Sequence, residues 1–277
     1  YTGGQEYLNN QKYTVMSYER HHGIDLINPD SFFVRPTSLQ LLDIWALQDI
    51  YGANTNLRSG DTTYALGKGF GFFDDPSNLP ANAEDQPFMY TIWDGGGNDT
   101  IDASAFDVGA EIDLREGRFS SIGKTSDGFA WSLDATATSS DPYPGNVAIA
   151  YGTEIENAVG TDYSDFIYGN DLDNIIIGGA GNDHLYGGAG ADTADYSLDM
   201  IGGIPGTITA TLKVDGTATV LDGWGDTDTL TGMEIITASA GTNDTIDFEN
   251  RAALERIYAK DDGSYIATID TGAGDVS

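Results

Sequence analysis

The chain has 277 residues, of which 40% are hydrophobic and none is cysteine. Asp and Glu number 44 against 12 Lys and Arg, which gives a formal net charge of -32. These values allow a packed core and exclude both a disulfide framework and thiolate metal sites. They make nucleic acid and anionic membranes poor partners and favour divalent cations, although a solvated acidic surface explains part of the charge.

The first element with a regular period is a helix that ends near Tyr51. Thr37 or Ser38 can cap its start, and Gly52 is a natural stop. Its apolar positions are Leu41, Leu42, Ile44, Trp45, Leu47 and Ile50. This broad apolar face predicts packing against a further domain. No apolar run in the sequence is long enough to span a membrane.

From Thr62 onward the sequence predicts short strands between turns rich in Gly, Asp and Asn. Tyr90–Trp93 is one such strand, and residues 94–99 form a turn that leads into Thr100–Asp102.

Four nine-residue units then run from Gly160 to Asp195, with the sequences GTDYSDFIY, GNDLDNIII, GGAGNDHLY and GGAGADTAD. Each unit opens with Gly, has Asp or Asn in sixth place and has an apolar residue in eighth place. The sixth places are Asp165, Asn174, Asp183 and Asp192, and the eighth places are Ile167, Ile176, Leu185 and Ala194. The units resemble the calcium-binding nonapeptide of RTX proteins, which stacks as a parallel β-roll.

The spacing has a chemical reason. Six residues form a turn in which glycine avoids a Cβ clash, and three form a strand whose eighth residue packs inside the roll. Calcium takes six to eight oxygens, from carboxylates and backbone carbonyls. Because successive turns lie on opposite edges, Asp165 pairs with Asp183, 18 residues on, and Asn174 with Asp192. The predicted calcium residues of this run are Asp165, Asn174, Gly178, Gly179, Gly181, Asp183, Gly187, Gly188, Gly190 and Asp192.

The third and fourth units are nearly ideal, and the first two are weaker half-sites with Thr161 and Asn170 where glycine is usual. A flexible Gly/Asp-rich loop is the alternative, which four in-register repeats disfavour.

After the repeats, residues 207–214 and 217–221 alternate like paired strands, with Asp215-Gly216 as the hairpin turn. Residues 226–236 and 241–248 are expected to resume the roll, and residues 249–259 to form a short helix.

Several motifs carry a resemblance in their order along the chain. They are Thr14-Val15-Met16-Ser17-Tyr18, Leu41–Asn54, Arg58–Thr62, Trp93–Thr100, Ile155–Gly160 and then the nonapeptides. Taken together they resemble the serralysin family, secreted bacterial zinc metalloendopeptidases of the metzincin clan. The resemblance covers roughly residues 1–195 and, more loosely, the acidic remainder.

The resemblance implies roles for particular residues. Met16 would be the Met-turn methionine beneath a catalytic zinc, and Tyr18 a zinc ligand that steadies the transition state. Further calcium positions would be Arg58, Gly60, Thr62, Asp94, Gly96, Gly97, Asp99, Glu154 and Glu156. Glu154 departs from the usual Thr of the family, although a backbone carbonyl would still serve there.

The resemblance also implies an architecture. Residues 1–55 would be the end of an α/β metzincin domain, and residues 56–277 a mainly β domain with a parallel β-roll and flanking sandwich-like strands. The implied cofactors are several calcium ions, with zinc only if an upstream zinc helix is present. The protein would be exported by a bacterial type I channel and fold on extracellular calcium.

Catalysis is the point at which the sequence departs from the family. Metzincins carry His-Glu-x-x-His-x-x-Gly-x-x-His, and this chain has only His21, His22 and His184. The adjacent pair diverges, and His184 is expected to face solvent, so the segment alone should not hydrolyse peptides. Two interpretations remain open beside the protease, namely a non-catalytic secreted calcium module (scaffold, adhesin or surface-layer piece) and a protease half supplied by a separate chain after cleavage.

Overall fold

A computed structural model describes residues 13–16, 38–65, 89–123, 145–201, 204–213, 215–238, 243–248, 254–259 and 265–269. Within those residues the protein is mainly β, with one helix and many short strands, as the sequence predicts. No described helix combines the length and apolarity needed to cross a membrane. The chain divides into two compact units, Tyr1–Ile155 and Glu156–Ser277.

The first unit contains helix α1, Leu41–Tyr51. The predicted cap is wrong at Ser38, and Thr37 lies outside the described residues. The N-cap is Gln40, whose backbone N–H donates to the Asp43 carboxylate at 2.9 Å. Ser38 is drawn away because its hydroxyl accepts a hydrogen bond from the Thr91 backbone N–H at 3.0 Å. In a capping box the side chain three residues into the helix accepts the N-cap N–H in this way.

The predicted apolar face of α1 is only partly buried. Leu41 and Ile44 are buried, whereas Trp45 is 52% and Ile50 68% exposed. At the other end Gly52, with φ 83°, terminates the helix as predicted, and its N–H donates to the Gln48 carbonyl at 2.8 Å.

Among its described residues, the first unit also contains six strands. They are β1 (Thr63–Ala65), β2 (Tyr90–Ile92), β3 (Thr100–Asp102), β4 (Glu111–Asp113), β5 (Phe119–Ser120) and β6 (Val147–Ile149). Strand β1 pairs parallel with β3, with buried Tyr64 opposite buried Ile101. Strand β2 pairs parallel with β6, and β5 joins β6 antiparallel. These pairings bring the segments before β1 and before β3 side by side.

The second unit begins with the nonapeptide roll. Its strands are β7 (Asn157–Val159), β8 (Phe166–Tyr168), β9 (Ile175–Ile177), β10 (His184–Tyr186) and β11 (Thr193–Tyr196). Strands β7, β9 and β11 pair in parallel, and β8 pairs in parallel with β10, so the predicted two-unit coil is confirmed. The eighth-place residues are 0–1% exposed, so they form the interior of the roll.

The remaining strands are β12 (Met200–Ile201), β13 (Ile204–Pro205), β14 (Thr209–Leu212), β15 (Thr217–Leu221), β16 (Thr227–Thr231), β17 (Ile235–Ala238), β18 (Thr245–Phe248), β19 (Leu254–Ala259) and β20 (Tyr265–Ile269). The predicted hairpin is confirmed as β14–β15. After it the chain resumes the roll, because β16 pairs parallel with β10, and β17 with β11.

Two predictions for the last part of the chain need correction. The roll predicted to resume over residues 241–248 does not continue through Thr245–Phe248, because β18 pairs parallel with β14 of the hairpin. The helix predicted at residues 249–259 is wrong, since β19 occupies Leu254–Ala259 and pairs antiparallel with β20. Strand pairing of this kind overrides a weak local helix preference.

Candidate calcium centre

Carboxylate and amide side chains of the sixth places link the stacked turns. The backbone N–H of Asp165 donates to Oδ1 of Asp183 at 2.8 Å. On the other edge, the N–H of Asn174 donates to Oδ1 of Asp192 at 2.9 Å. Both pairs lie 18 residues apart, which confirms the predicted pairing of turns along each edge.

The opening glycines leave room for oxygen atoms. A Cβ on Gly160 would collide with the carbonyl oxygen of Gly178 and with the Asp165 carboxylate. A Cβ on Gly169 would meet the Gly187 carbonyl and Oδ1 of Asn174 in the same way. At Gly160 and at Gly169, a carbonyl oxygen of the stacked turn and a side-chain oxygen of the same turn therefore lie close to each other.

The second and fourth places of the ideal units also require glycine. Gly179, Gly181, Gly188 and Gly190 all have positive φ values, between 96° and 117°. A Cβ on Gly179 would collide with the Thr161 carbonyl, and one on Gly188 with the Asn170 carbonyl. These glycines allow the turns to stack with backbone carbonyls facing the adjacent turn.

The two ideal units differ from the two weaker ones in how their sixth-place side chains are satisfied. In the first nonapeptide, Oδ2 of Asp165 accepts the Thr161 N–H at 2.6 Å. In the second nonapeptide, Oδ1 of Asn174 accepts the Asn170 N–H at 2.8 Å. In the third and fourth nonapeptides, Oδ2 of Asp183 and Oδ2 of Asp192 are buried without a hydrogen-bond partner in the described part of the chain. A buried carboxylate oxygen in that state calls for a cation or a proton.

The electrostatics agree with that geometry. Burial, followed by the nearby charge of Asp228, raises the pKa of Asp183 to about 9. Burial also raises the pKa of Asp192 to about 7. A bound divalent cation would reverse both shifts by favouring the charged form.

The described residues hold no group of three or more His, Asp or Glu side chains arranged to bind a metal. A cation in the roll would therefore complete its shell with backbone carbonyls and water. That donor set suits calcium, which accepts carbonyl oxygens readily and tolerates irregular geometry.

A second pair of turns lies in the first compact unit of the chain, Tyr1–Ile155. One turn precedes β1 and the other precedes β3. Oδ1 of Asp99 accepts the Thr62 N–H at 2.8 Å, and Oδ1 of Asp94 accepts the Gly96 N–H at 2.9 Å. A Cβ on Gly97 would lie 2.7 Å from the Gly60 carbonyl oxygen. Arg58, like Gly96 and Gly97, has a positive φ. The structure thus brings together the predicted positions Arg58, Gly60, Thr62, Asp94, Gly96, Gly97 and Asp99.

The predicted calcium positions Glu154 and Glu156 show less evidence of a calcium site. Glu154 is exposed. The carbonyl oxygen of Glu156 accepts hydrogen bonds from the Ile175 N–H at 3.3 Å and from Nδ2 of Asn174 at 2.9 Å. Their calcium role stays a prediction.

Of the predicted zinc-associated residues, the structure describes only Met16. Met16 is 78% exposed, and its neighbours Thr14 and Val15 donate hydrogen bonds to the Asp43 carboxylate. Tyr18, His21 and His22 lie outside the described residues. His184 is half-buried and stacks on Phe166, with ring centroids 4.7 Å apart.

Sequence reasoning missed three residues of the resumed roll. Asp228 accepts the Asp183 N–H at 2.8 Å, and Glu234 accepts the Asp192 N–H at 2.9 Å. The Gly232 carbonyl faces Gly187, as the Gly187 carbonyl faces Gly169. One signal was available, because residues 223–231, GWGDTDTLT, repeat the Gly, Asp and apolar places of a nonapeptide.

The family is decided by a match over residues 53–204 to the model of the peptidase M10 serralysin C-terminal family. The chain belongs to this family. The matched residues of this serralysin C-terminal region contain both turns of the first unit and all four nonapeptides, whereas the resumed roll lies beyond the match.

Individual relatives agree. The serralysin C-terminal region is 37% identical over 164 residues to serralysin of Photorhabdus laumondii, covering 58% of this chain and 28% of that protein. It is 43% identical over 132 residues to metallopeptidase AprA of Pseudomonas marginalis, covering 48% and 23%. It is 35% identical over 164 residues to serralysin of Proteus mirabilis, covering 59% and 28%. The chain thus spans well under a third of the length of these relatives.

Proposed function

We propose that this chain is the calcium-binding C-terminal portion of a serralysin-like secreted zinc metalloprotease. Residues 1–55 would be the end of the protease domain, and residues 56–277 the calcium-binding domain. The observation that carries the calcium proposal is the pair of buried, unpartnered Oδ2 atoms of Asp183 and Asp192, each in an ideal nonapeptide turn of the described chain.

Calcium would act as a folding switch. Carboxylates of the repeats repel one another, and the net charge of -32 opposes compaction. A cation that binds only the folded turns offsets this repulsion and shifts the equilibrium toward the native state. The chain would stay unfolded where calcium is scarce and fold after type I export, outside the cell.

Circular dichroism tests the switch directly. In millimolar calcium we expect the spectrum of a β protein, and in excess EGTA a spectrum of unfolded chain that reverts when calcium is restored. Magnesium at the same concentration is the control, and it should not restore structure because it demands a stricter octahedral shell. A spectrum that is unchanged by EGTA would overturn the proposal.

Zinc chemistry needs more than the residues of this chain. The chain has three histidines and no His-Glu-x-x-His motif, so its own side chains do not form the three-imidazole zinc site of metzincins. Peptide hydrolysis would therefore depend on a catalytic part outside this segment, with Met16 and Tyr18 contributing to its floor and zinc shell.

A non-catalytic secreted calcium module is the second candidate, since the turns that support calcium binding belong to this chain and need no catalytic part. Reading the coding sequence upstream of Tyr1 separates the two. A His-Glu-x-x-His motif within a few dozen codons supports the protease, and a continuous upstream sequence without it supports the module. Intact-mass analysis of the native protein detects the third arrangement, a cleaved partner chain.

A further inference from the structure

A short segment near the start of the chain is held against the first turn of helix α1. We call residues 13–16 the methionine segment. The Tyr13 carbonyl accepts the Leu42 N–H at 2.9 Å, and this N–H belongs to the first turn of α1, where the helix itself offers no acceptor. The Tyr13 ring also lies edge to face against Phe119 of β5, with ring centroids 5.4 Å apart. The methionine segment therefore begins at a residue fixed to two elements of the first unit.

One carboxylate gathers three donors beside this contact. Oδ1 of Asp43 accepts the Thr14 hydroxyl at 2.5 Å, and Oδ2 accepts the Val15 N–H at 2.8 Å. Oδ2 also accepts the N–H of Gln40, the N-cap of α1, at 2.9 Å. Hydrogen bonds to a carboxylate are stronger than those between neutral groups. Asp43 thus joins the helix start to residues 28 and 29 places earlier in the chain.

Thr14 extends this anchor to Met16. Its hydroxyl donates to Asp43 and accepts the Met16 N–H at 3.1 Å. A hydroxyl can do both, because it carries one donor hydrogen and two acceptor lone pairs. The backbone at Met16 is therefore held by Asp43 through Thr14, while the Met16 side chain is left 78% exposed.

The start of α1 is itself fastened to the first unit. The Ser38 hydroxyl accepts the Thr91 N–H of β2 at 3.0 Å. The side chain of Gln40, which is buried, donates through Nε2 to the Ser38 carbonyl at 2.9 Å. Asp43 consequently stands on a support that is hydrogen-bonded to the sheet, as a residue that positions others requires.

We propose that Asp43 is a positioning residue for the catalytic part of the proposed protease, and that it acts through Thr14 to fix the place of Met16. This role rests on the proposed protease function and deepens it, because it names the groups of this chain that hold Met16. An exposed side chain on an anchored backbone can pack beneath the catalytic part at a fixed place. Less conformational freedom is then lost when the two parts pack together.

A purely structural role for Asp43 would be to cap α1. That role uses only the bond to the Gln40 N–H, whereas the bonds to Thr14 and Val15 go beyond it. Thr14 can be changed without removing the cap. Variants at Thr14 therefore separate the positioning of Met16 from the stabilisation of the helix.

The first test measures peptide hydrolysis by the parent protein, which includes the sequence upstream of Tyr1. Thr14→Val removes the hydroxyl at nearly constant volume, and Thr14→Ser keeps it. We expect kcat of Thr14→Val to fall by about tenfold or more with KM nearly unchanged, because a displaced Met16 disturbs the reacting geometry more than substrate binding. Thr14→Ser should keep the native kcat. Circular dichroism in calcium checks that both variants are folded.

The second test uses this chain and needs no activity. Labelling with 15N-methionine gives one backbone amide signal for each of the four Met residues, and Met16→Leu identifies that of Met16. In Thr14→Val and in Asp43→Asn, the order parameter of the Met16 N–H should fall from near 0.85 to below about 0.6. Asp49→Asn is the matched control, since Asp49 is exposed on the same helix, and it should leave the Met16 signal unchanged.

The outcomes separate this role from the proposed function. Native kcat in folded Thr14→Val, or an unchanged Met16 order parameter in that variant, overturns the positioning role and leaves the protease standing. An equal loss of order in Asp49→Asn also overturns it, because the effect would then be one of helix charge. A native parent protein without peptidase activity overturns the proposed protease and this role with it. If Asp43→Asn does not fold, Thr14→Val decides the matter.

Discussion

The backbone N–H of Asp165 donates to Oδ1 of Asp183 at 2.8 Å, so the carboxylate of Asp183 binds the turn on which its own turn is stacked, 18 residues earlier. The same relation joins Asn174 to Asp192, and then Asp183 to Asp228 after the hairpin. One oxygen of each carboxylate is therefore structural. The second oxygen, which has no partner among the described residues in Asp183 and Asp192, is the one available to a cation.

Asp183→Asn should separate these two roles. The amide oxygen still accepts the Asp165 N–H, whereas the charged oxygen is lost. We expect calcium affinity to fall by about tenfold, or about 1.4 kcal/mol, as measured by isothermal titration calorimetry. Asp162→Asn is the control, since Asp162 is exposed on the neighbouring turn and the same charge is removed. Equal affinity losses in both variants would indicate a general charge effect.

Gly187→Ala should damage the stacking of the last nonapeptide. The new Cβ would collide with the Gly232 carbonyl and the Asp192 carboxylate. Overpacking of this kind costs about 1–3 kcal/mol, which urea unfolding in calcium measures. Gly60→Ala should change stability little, because nothing lies within 4 Å of its Cβ position. A stable Gly187→Ala protein with native calcium affinity would contradict the described stacking.

Ile176→Ala should lower stability by about 2–5 kcal/mol because a fully buried side chain is truncated. Ile175→Ala, one residue earlier and 45% exposed, should cost less than about 1 kcal/mol. Thermal unfolding in saturating calcium compares the two. A reversed order would mean that the strand register is displaced by one residue.

Glu111 should make stability depend on pH. Burial, followed by the charge of Asp113, raises its pKa from 4.5 to about 7 in the folded protein. The folded state then binds more protons than the unfolded state between these pH values, so this group lowers stability as pH rises from 4.5 to 7. Glu111→Gln should flatten that part of the pH profile of unfolding, measured in urea at fixed calcium. An unchanged slope would assign the pH dependence to other carboxylates.

The sequence by itself determined the nonapeptide roll. Glycine, the sixth-place acid and the eighth-place apolar residue recur every nine residues, so the two-unit coil, the partner of Asp165 and the buried ladder through Ile176 follow from local pattern. The absence of the zinc motif was equally a matter of sequence. Such features are readable because each repeat meets the same neighbours at a fixed interval.

Tertiary structure alone decided what lies outside the repeats. The stacking of Asp228 on Asp183 crosses a hairpin, and the capping of α1 by Asp43 depends on Ser38 bonding to Thr91 instead. The strand at Leu254–Ala259 exists through its pairing with β20. In each case the deciding partner lies at no regular interval along the chain, so burial and hydrogen bonding to that partner, rather than the residue's own preference, select the conformation.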